Sequence, residues 1–135
     1  MAWLNATPKP PPGAKPTGGD QPTLSRIEQM RADKIEPSMP PNPAPHILDR
    51  LIEIGLTEAG GMAAVPISWL SINEWQRAMH IRLPPWEAAL MRKLSVEYLA
   101  EGRRAESRNC PAPWRTEMSA REQEVDLEKL RMVLG

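Results

Sequence analysis

Residues 66–100 read Pro66-Ile-Ser-Trp-Leu-Ser-Ile-Asn-Glu-Trp-Gln-Arg-Ala-Met-His-Ile-Arg-Leu-Pro-Pro-Trp-Glu-Ala-Ala-Leu-Met-Arg-Lys-Leu-Ser-Val-Glu-Tyr-Leu-Ala100. Apolar residues recur at helical spacing on either side of Pro84-Pro85, which predicts two helices joined by a short proline turn. Each helix should bury one face. We therefore predict these residues as core packing: Ile72, Trp75, Trp86, Leu90, Leu94 and Tyr98.

Three further helices are predicted outside this stretch. Capping-box spacing at Ser25 and Glu28, and again at Ser119 and Glu122, predicts helices over 25–34 and 117–134. An apolar face over 45–54 followed by Gly55 predicts another. Gly60-Gly61 indicates a flexible turn, and no segment alternates convincingly as a strand. The predicted fold class is all-α, a small helical domain of about three to five helices.

Prolines divide the chain. Eleven of the 16 prolines fall within residues 1–45, and proline fixes φ and lacks an N–H. Residues 1–22 are therefore predicted to form no helix and to be a disordered, Pro-rich N-terminal segment. The expected organisation is a Pro-rich tail and linker with one short helix over 1–45, a helical core domain over 46–108, and a linker with an amphipathic helix over 109–135.

The charge is balanced, with 17 basic and 17 acidic residues. A neutral chain lacks the basic excess that is typical of nucleic-acid binders, so nucleic acid is not an expected partner. No apolar run approaches the roughly 20 residues that span a bilayer, and the N-terminus does not resemble a signal peptide. A single cysteine fits a reducing cytoplasm.

Chemically active side chains are few and scattered. His46, His80 and Cys110 do not occur at any spacing typical of metal ligands. Acidic residues alternate with basic ones along the predicted helices, as Glu117 and Arg121 do. We predict no catalytic, cofactor or metal site and no enzymatic activity.

A domain this small cannot bury every indole. Tryptophan commonly anchors interfaces, so Trp69 and Trp114 are the candidate partner-binding residues. The last predicted helix carries an apolar stripe that another surface must bury, formed by Leu127, Leu130 and Leu134. That stripe fits a partner, self-association, or docking back on the core.

Part of the chain resembles a known family. The residues that carry the resemblance are Ile67-Ser68-Trp69, Ile72, Glu74-Trp75, Ile81, Leu83, Pro85-Trp86-Glu87, Leu90, Leu94-Ser95 and Tyr98-Leu99. They resemble small proteins encoded in the tail modules of long-tailed bacteriophages, often described as tail assembly chaperones. The resemblance covers about residues 46–114. The chain departs from the family pattern at Met79-His80, where a Thr-Gly turn is common.

The resemblance implies a specific task. Such chaperones bind the tape measure protein, keep it soluble, and help recruit tail tube subunits. They act in the bacterial host cytoplasm and are expected to be absent from the mature virion. Two alternatives stay open. One is a phage helix-turn-helix DNA-binding regulator, although the second helix offers no basic residue before Arg92. The other is a minor structural component of the virion.

Overall fold

The computed structural model describes residues 1–10, 12–13, 23–115 and 117–135. Over these residues the chain is mostly helical, as predicted, with one two-stranded sheet. The elements are α1 Ala2–Asn5, α2 Arg26–Ala32, α3 Pro45–Ile54, β1 Glu58–Ala59, β2 Ala64–Val65, α4 Trp69–Met79, α5 Pro85–Arg104 and α6 Ala120–Leu134. None of the helices in the described part of the chain combines the length and the apolar composition that spanning a bilayer requires.

These residues group into two compact units. The central unit consists of Ala2 and Pro41–Arg104, and the terminal unit consists of Met1, Trp3–Pro40 and Ala105–Gly135. The terminal unit therefore combines segments from both ends of the sequence.

The core of the central unit is built from α3, α4, α5 and the segments between them. Its buried apolar side chains are Ile47, Leu51, Ile67, Ile72, Leu83, Ala88 and Met91. Burial of each larger aliphatic side chain contributes about 1.5–3 kcal/mol. Trp75 and Leu90 are partly buried and pack against this core.

A buried hydroxyl joins three segments of the central unit. The Ser95 side chain is inaccessible to solvent. Its Oγ accepts the backbone N–H of Ile67 at 3.0 Å and donates to the carbonyl of Leu56 at 2.7 Å. Both backbone groups are thereby satisfied, and the chain on either side of the hairpin is fixed against α5.

The start of α4 is stabilised by two side chains. Ser68 is the N-cap, and its Oγ accepts the Ser71 backbone N–H at 3.1 Å. The Glu58 carboxylate accepts the Ser68 backbone N–H at 2.6 Å. The Ser71 hydroxyl and the Ser68 N–H hold the pKa of Glu58 below its usual range, because both favour the charged carboxylate.

The prediction that the chain contains no strand is wrong. Residues Glu58 and Ala59 pair antiparallel with Val65 and Ala64. Two-residue strands are too short to display an alternating pattern, so sequence periodicity could not reveal them.

The predicted core of α5 needs correction. Trp86 is 60% exposed and Leu94 is 36% exposed, so neither belongs to the core. Tyr98 is half-buried. The buried side chains of α5 are Glu87, Ala88, Met91 and Ser95. Glu87 is accommodated there because the Arg50 guanidinium donates to its carboxylate at 2.6 Å.

The N-terminal prediction is wrong at one place, because Ala2–Asn5 is helical. This turn precedes the first proline, Pro8, so nothing in its sequence prevents a helix. The predicted disorder of the Pro-rich stretch falls largely on residues 11 and 14–22, which lie outside the described residues.

Candidate functional site

A buried arginine organises the terminal unit. Arg26, the first residue of α2, is only 9% exposed. Its guanidinium donates to the carbonyls of Trp3 at 3.3 Å, Ser107 at 2.8 Å and Ala105. A buried cation requires such partners. Arg26 therefore fixes Trp3 and the segment after α5 in one place.

Trp3 is held by two further contacts. The Arg26 guanidinium lies 4.6 Å from the centroid of its ring, within cation–π range. Its Nε1–H donates to the Cys110 carbonyl at 2.9 Å. The backbone N–H of Lys9 also donates to the Glu106 carbonyl at 2.9 Å, and the two side chains form an ion pair. The N-terminal segment is thus fixed along residues 105–110.

The position of α6 is set by the face that carries Arg121, Val125 and Lys129. Val125 is buried. On the same side of α6, the Arg121 guanidinium donates to the Asp33 carbonyl at 3.1 Å, and Lys129 Nζ lies 3.4 Å from the Asp33 carboxylate. One face of α6 is therefore fixed at the C-terminal end of α2.

These contacts leave an open cavity of about 490 Å³ within the terminal unit. We call it the Met–Trp groove, defined by the side chains Met1, Trp3, Met30, Met39, Trp114 and Met118. Arg115, Glu122 and Asp126 add charged groups to its lining. The volume lies within the range of about 300–1,000 Å³ typical of ligand pockets.

The lining of the groove is rich in methionine, a flexible side chain. Methionine is unbranched and polarisable, so it accommodates partners of different shape and is common at promiscuous binding surfaces. Met39, Trp114 and Met118 are 48%, 42% and 52% exposed. Exposed apolar clusters of this kind mark interaction sites. Trp114, predicted as a partner-binding residue, lies in this cluster.

Trp69 lies in the central unit, at the start of α4, and is half-exposed. Leu70 and Val96 are also exposed. The Arg92 guanidinium is 5.9 Å from the centroid of the Trp69 ring. Arg92 therefore lies within cation–π range of the Trp69 ring.

The predicted leucine stripe on α6 is exposed. Leu127 and Leu130 are 55% exposed and Leu134 is 83% exposed. At about 100° per residue, the three leucines lie roughly 140–200° around the helix from Val125. They therefore occupy the face opposite to the docked one and remain outside the groove.

The two histidines and the cysteine take part in local contacts and in the end of a helix. His46 Nε2 lies 3.6 Å from the Glu87 carboxylate. His80 has a φ of 52° and ends α4 in the left-handed conformation. Cys110 is half-buried, and its backbone carbonyl accepts a hydrogen bond from the Trp3 Nε1–H. Among the described residues, no group of three or more His, Cys, Asp or Glu is arranged to hold a metal ion.

The sequence patterns do not single out Trp3, Arg26 or the groove methionines as candidate site residues. Met1, Trp3 and Met39 lie in segments predicted to be tail or linker, whereas Arg26, Met30 and Met118 lie in the helices predicted over 25–34 and 117–134. The indication of such a groove in the sequence is its composition, since the chain has eight methionines and no phenylalanine. Such a bias favours an adaptable surface.

Comparison of the chain with protein families, with curated proteins and with solved structures finds no match.

Proposed function

We propose that this chain is a phage tail assembly chaperone. In this role it is a non-catalytic binding protein that keeps the tape measure protein soluble in the bacterial cytoplasm, helps recruit tail tube subunits, and is absent from the finished virion. The observation that carries the proposal is the Met–Trp groove, an open apolar cavity with two tryptophans and four methionines in its lining.

The groove suits an amphipathic helix. A tape measure protein is a very long helical chain, and before assembly its apolar stripe is exposed to water. Helix-in-groove recognition buries apolar residues that recur at i, i+3 or i+4 and i+7. Flexible methionines allow one groove to accept successive stretches of the same tape that differ in sequence.

Charged groups at the groove favour one orientation of the bound helix. Glu122 and Asp126 lie one helical turn apart on α6, and Arg115 also belongs to the lining. A tape segment with a basic residue beside its apolar stripe would meet the Glu122 carboxylate. This preference fixes the register of the tape helix in the groove and adds little to its binding affinity, because exposed ion pairs contribute only about 0–1 kcal/mol.

Release must accompany assembly. A contact with a Kd of about 1 µM corresponds to roughly 8 kcal/mol, which tail tube subunits can displace by competing for the same tape. Many weak copies along one tape keep it covered until the tube polymerises.

The test is co-expression with the tape measure protein of the same tail module, followed by measurement of the soluble tape and of its co-purification. The groove variant combines Trp114→Ser and Met118→Ser. The matched control combines Trp86→Ser and Met62→Ser, which replace exposed side chains of the same types in the central unit.

The wild type and the control are expected to solubilise the tape, and the groove variant is expected to lose most of this effect. Addition of tube protein should release the chaperone. An insoluble tape in all cases would contradict the proposal. Recovery of the chain from purified particles would instead favour a minor structural virion component, and salt-dependent binding of duplex DNA would favour a regulator.

A further inference from the structure

The leucine face of α6 consists of Leu127, Leu130 and Leu134, and it is exposed on a helix whose opposite face is already docked through Val125. A surface helix normally carries polar residues on its outer face. This helix instead exposes leucines at i, i+3 and i+7, the a and d spacing of a coiled coil. The leucine face is therefore built to be covered by another helix.

We propose that the cover is a second copy of this chain, with the two α6 helices packed in parallel. With Leu127 and Leu134 at a positions and Leu130 at d, a parallel pair sets each leucine against its own copy. An antiparallel pair centred between Leu127 and Leu130 would instead set Leu134 against Gln123. The parallel arrangement thus forms three leucine layers.

The charges beside the leucine face support the same arrangement. In this register Asp126 occupies a g position and Arg131 the following e position, which are the positions that pair between parallel helices. The pairing is symmetric, so each dimer gains two Asp126–Arg131 contacts between its copies.

Both charged side chains are available for such pairing. Two other charged residues nearby are engaged within the chain, since Glu124 pairs with Arg121 at 2.8 Å and Lys129 with Asp33 at 3.4 Å. Among the residues that the structure describes, the side chains of Asp126 and Arg131 are exposed and form no ion pair.

The first experiment is analytical ultracentrifugation of the full-length chain alone over a concentration series up to about 1 mM, a range that detects weak dimers. The wild type is expected to dimerise, and Leu130→Glu is expected to be monomeric. Met132→Glu is the matched control, because Met132 is exposed on α6 outside the leucine face. A monomeric wild type, or a dimer that survives Leu130→Glu, would overturn the proposal.

The second experiment exchanges charges and leaves every leucine in place. In the Asp126→Arg variant, arginine occupies positions 126 and 131. In the Arg131→Asp variant, aspartate occupies the same two positions. Each variant alone is expected to dimerise about tenfold more weakly than the wild type, because like charges face each other. An equimolar mixture should recover an affinity within about threefold of wild type, since opposite charges then meet. Failure of the mixture to recover would overturn the parallel arrangement.

Neither experiment contains a tape measure protein. The outcome is therefore independent of the proposed chaperone function. The dimer proposal can fail while the chaperone proposal holds, and the reverse is also possible.

Discussion

Ser95 and Arg26 each hold distant segments together by one side chain. Ser95 joins Ile67 and Leu56 within the central unit, and Arg26 joins three carbonyls within the terminal unit. Both are buried. Their loss would leave polar backbone groups without partners, which costs more than the bonds themselves contribute.

Ser95→Ala is the direct test of the first of these connections. It should lower the free energy of unfolding by about 1–3 kcal/mol, because the Ile67 N–H and the Leu56 carbonyl lose their buried partner. Urea denaturation followed by circular dichroism measures the change. Ser107→Ala, at an exposed side chain, should stay within about 0.5 kcal/mol of wild type. Equal effects of the two substitutions would refute the role of Ser95.

Trp75 and Trp86 should respond differently to truncation. Trp75 packs against the central core, whereas Trp86 is mostly exposed. Trp75→Ala is expected to cost about 3 kcal/mol, and Trp86→Ala less than about 1 kcal/mol. Thermal unfolding of the two variants measures both values. A larger loss for Trp86→Ala would contradict the observed packing of α5.

Glu58 should make stability depend on acid pH. Its pKa is lowered in the folded chain by the Ser71 hydroxyl and the Ser68 N–H, so its contribution is complete above the unfolded pKa of about 4.3. That contribution is lost as the pH falls through the lower folded pKa. The Glu58→Gln variant should therefore lose less stability than wild type between about pH 5 and pH 3.

Chemical denaturation at a series of pH values measures this difference. In a Ser71→Ala background, the effect of Glu58→Gln on the pH dependence is expected to shrink, because the hydroxyl that lowers the pKa most is absent. Superimposable pH profiles for wild type and Glu58→Gln would rule out the lowered pKa.

At the scale of secondary-structure elements, local signals predict most helices. The α3 helix is predicted over 45–54 and occupies Pro45–Ile54. The capping boxes predicted at Ser25 and Ser119 are both present. These signals succeed because a cap and an apolar stripe are contained within one short segment.

The failure in α5 has a geometric reason. Residues four apart advance about 400° around a helix, so a stripe with that spacing drifts by roughly 40° at each step. Trp86, the first member of the stripe, therefore lies far around the helix from Met91 and Ser95, which are buried. A spacing that mixes three and four residues would have been the better guide to the core.

The hairpin depends on one glycine. A Cβ added at Gly60 would lie 2.4 Å from the Ala63 carbonyl oxygen, whereas a Cβ at Gly61 would meet nothing within 4 Å. Gly60→Ala should therefore lower stability by about 1–3 kcal/mol, and Gly61→Ala should have little effect. Differential scanning calorimetry compares the pair. Equal melting temperatures would contradict the described turn.

At the scale of the whole molecule, the groove could not be predicted because its lining comes from widely separated parts of the sequence. Met1 and Trp3, Met30 and Met39, and Trp114 and Met118 come from three regions of the chain. They are brought together by contacts such as those of Arg26, whose partners no periodicity reveals. Among the groove residues, the sequence identifies only Trp114 as partner-binding, from its residue type.

The two proposals combine at this scale. A dimer through the leucine face would carry two Met–Trp grooves. Two weak sites on one dimer can bind a long repetitive helix with an avidity well above the affinity of either site, provided that both sites contact the tape at the same time. Each groove can still release individually when tube subunits compete.

The most direct test of the chaperone account is a nuclear magnetic resonance titration of the chain labelled with ¹³C at its methionine methyl groups. The ligand is a helical segment of the tape measure protein. Four of the eight methionines line the groove, namely Met1, Met30, Met39 and Met118, and the other four are Met62, Met79, Met91 and Met132. The signals of the four groove methionines are expected to shift on binding while those of the other four stay in place. Absence of binding, or binding that leaves the groove signals unchanged, would contradict the chaperone proposal.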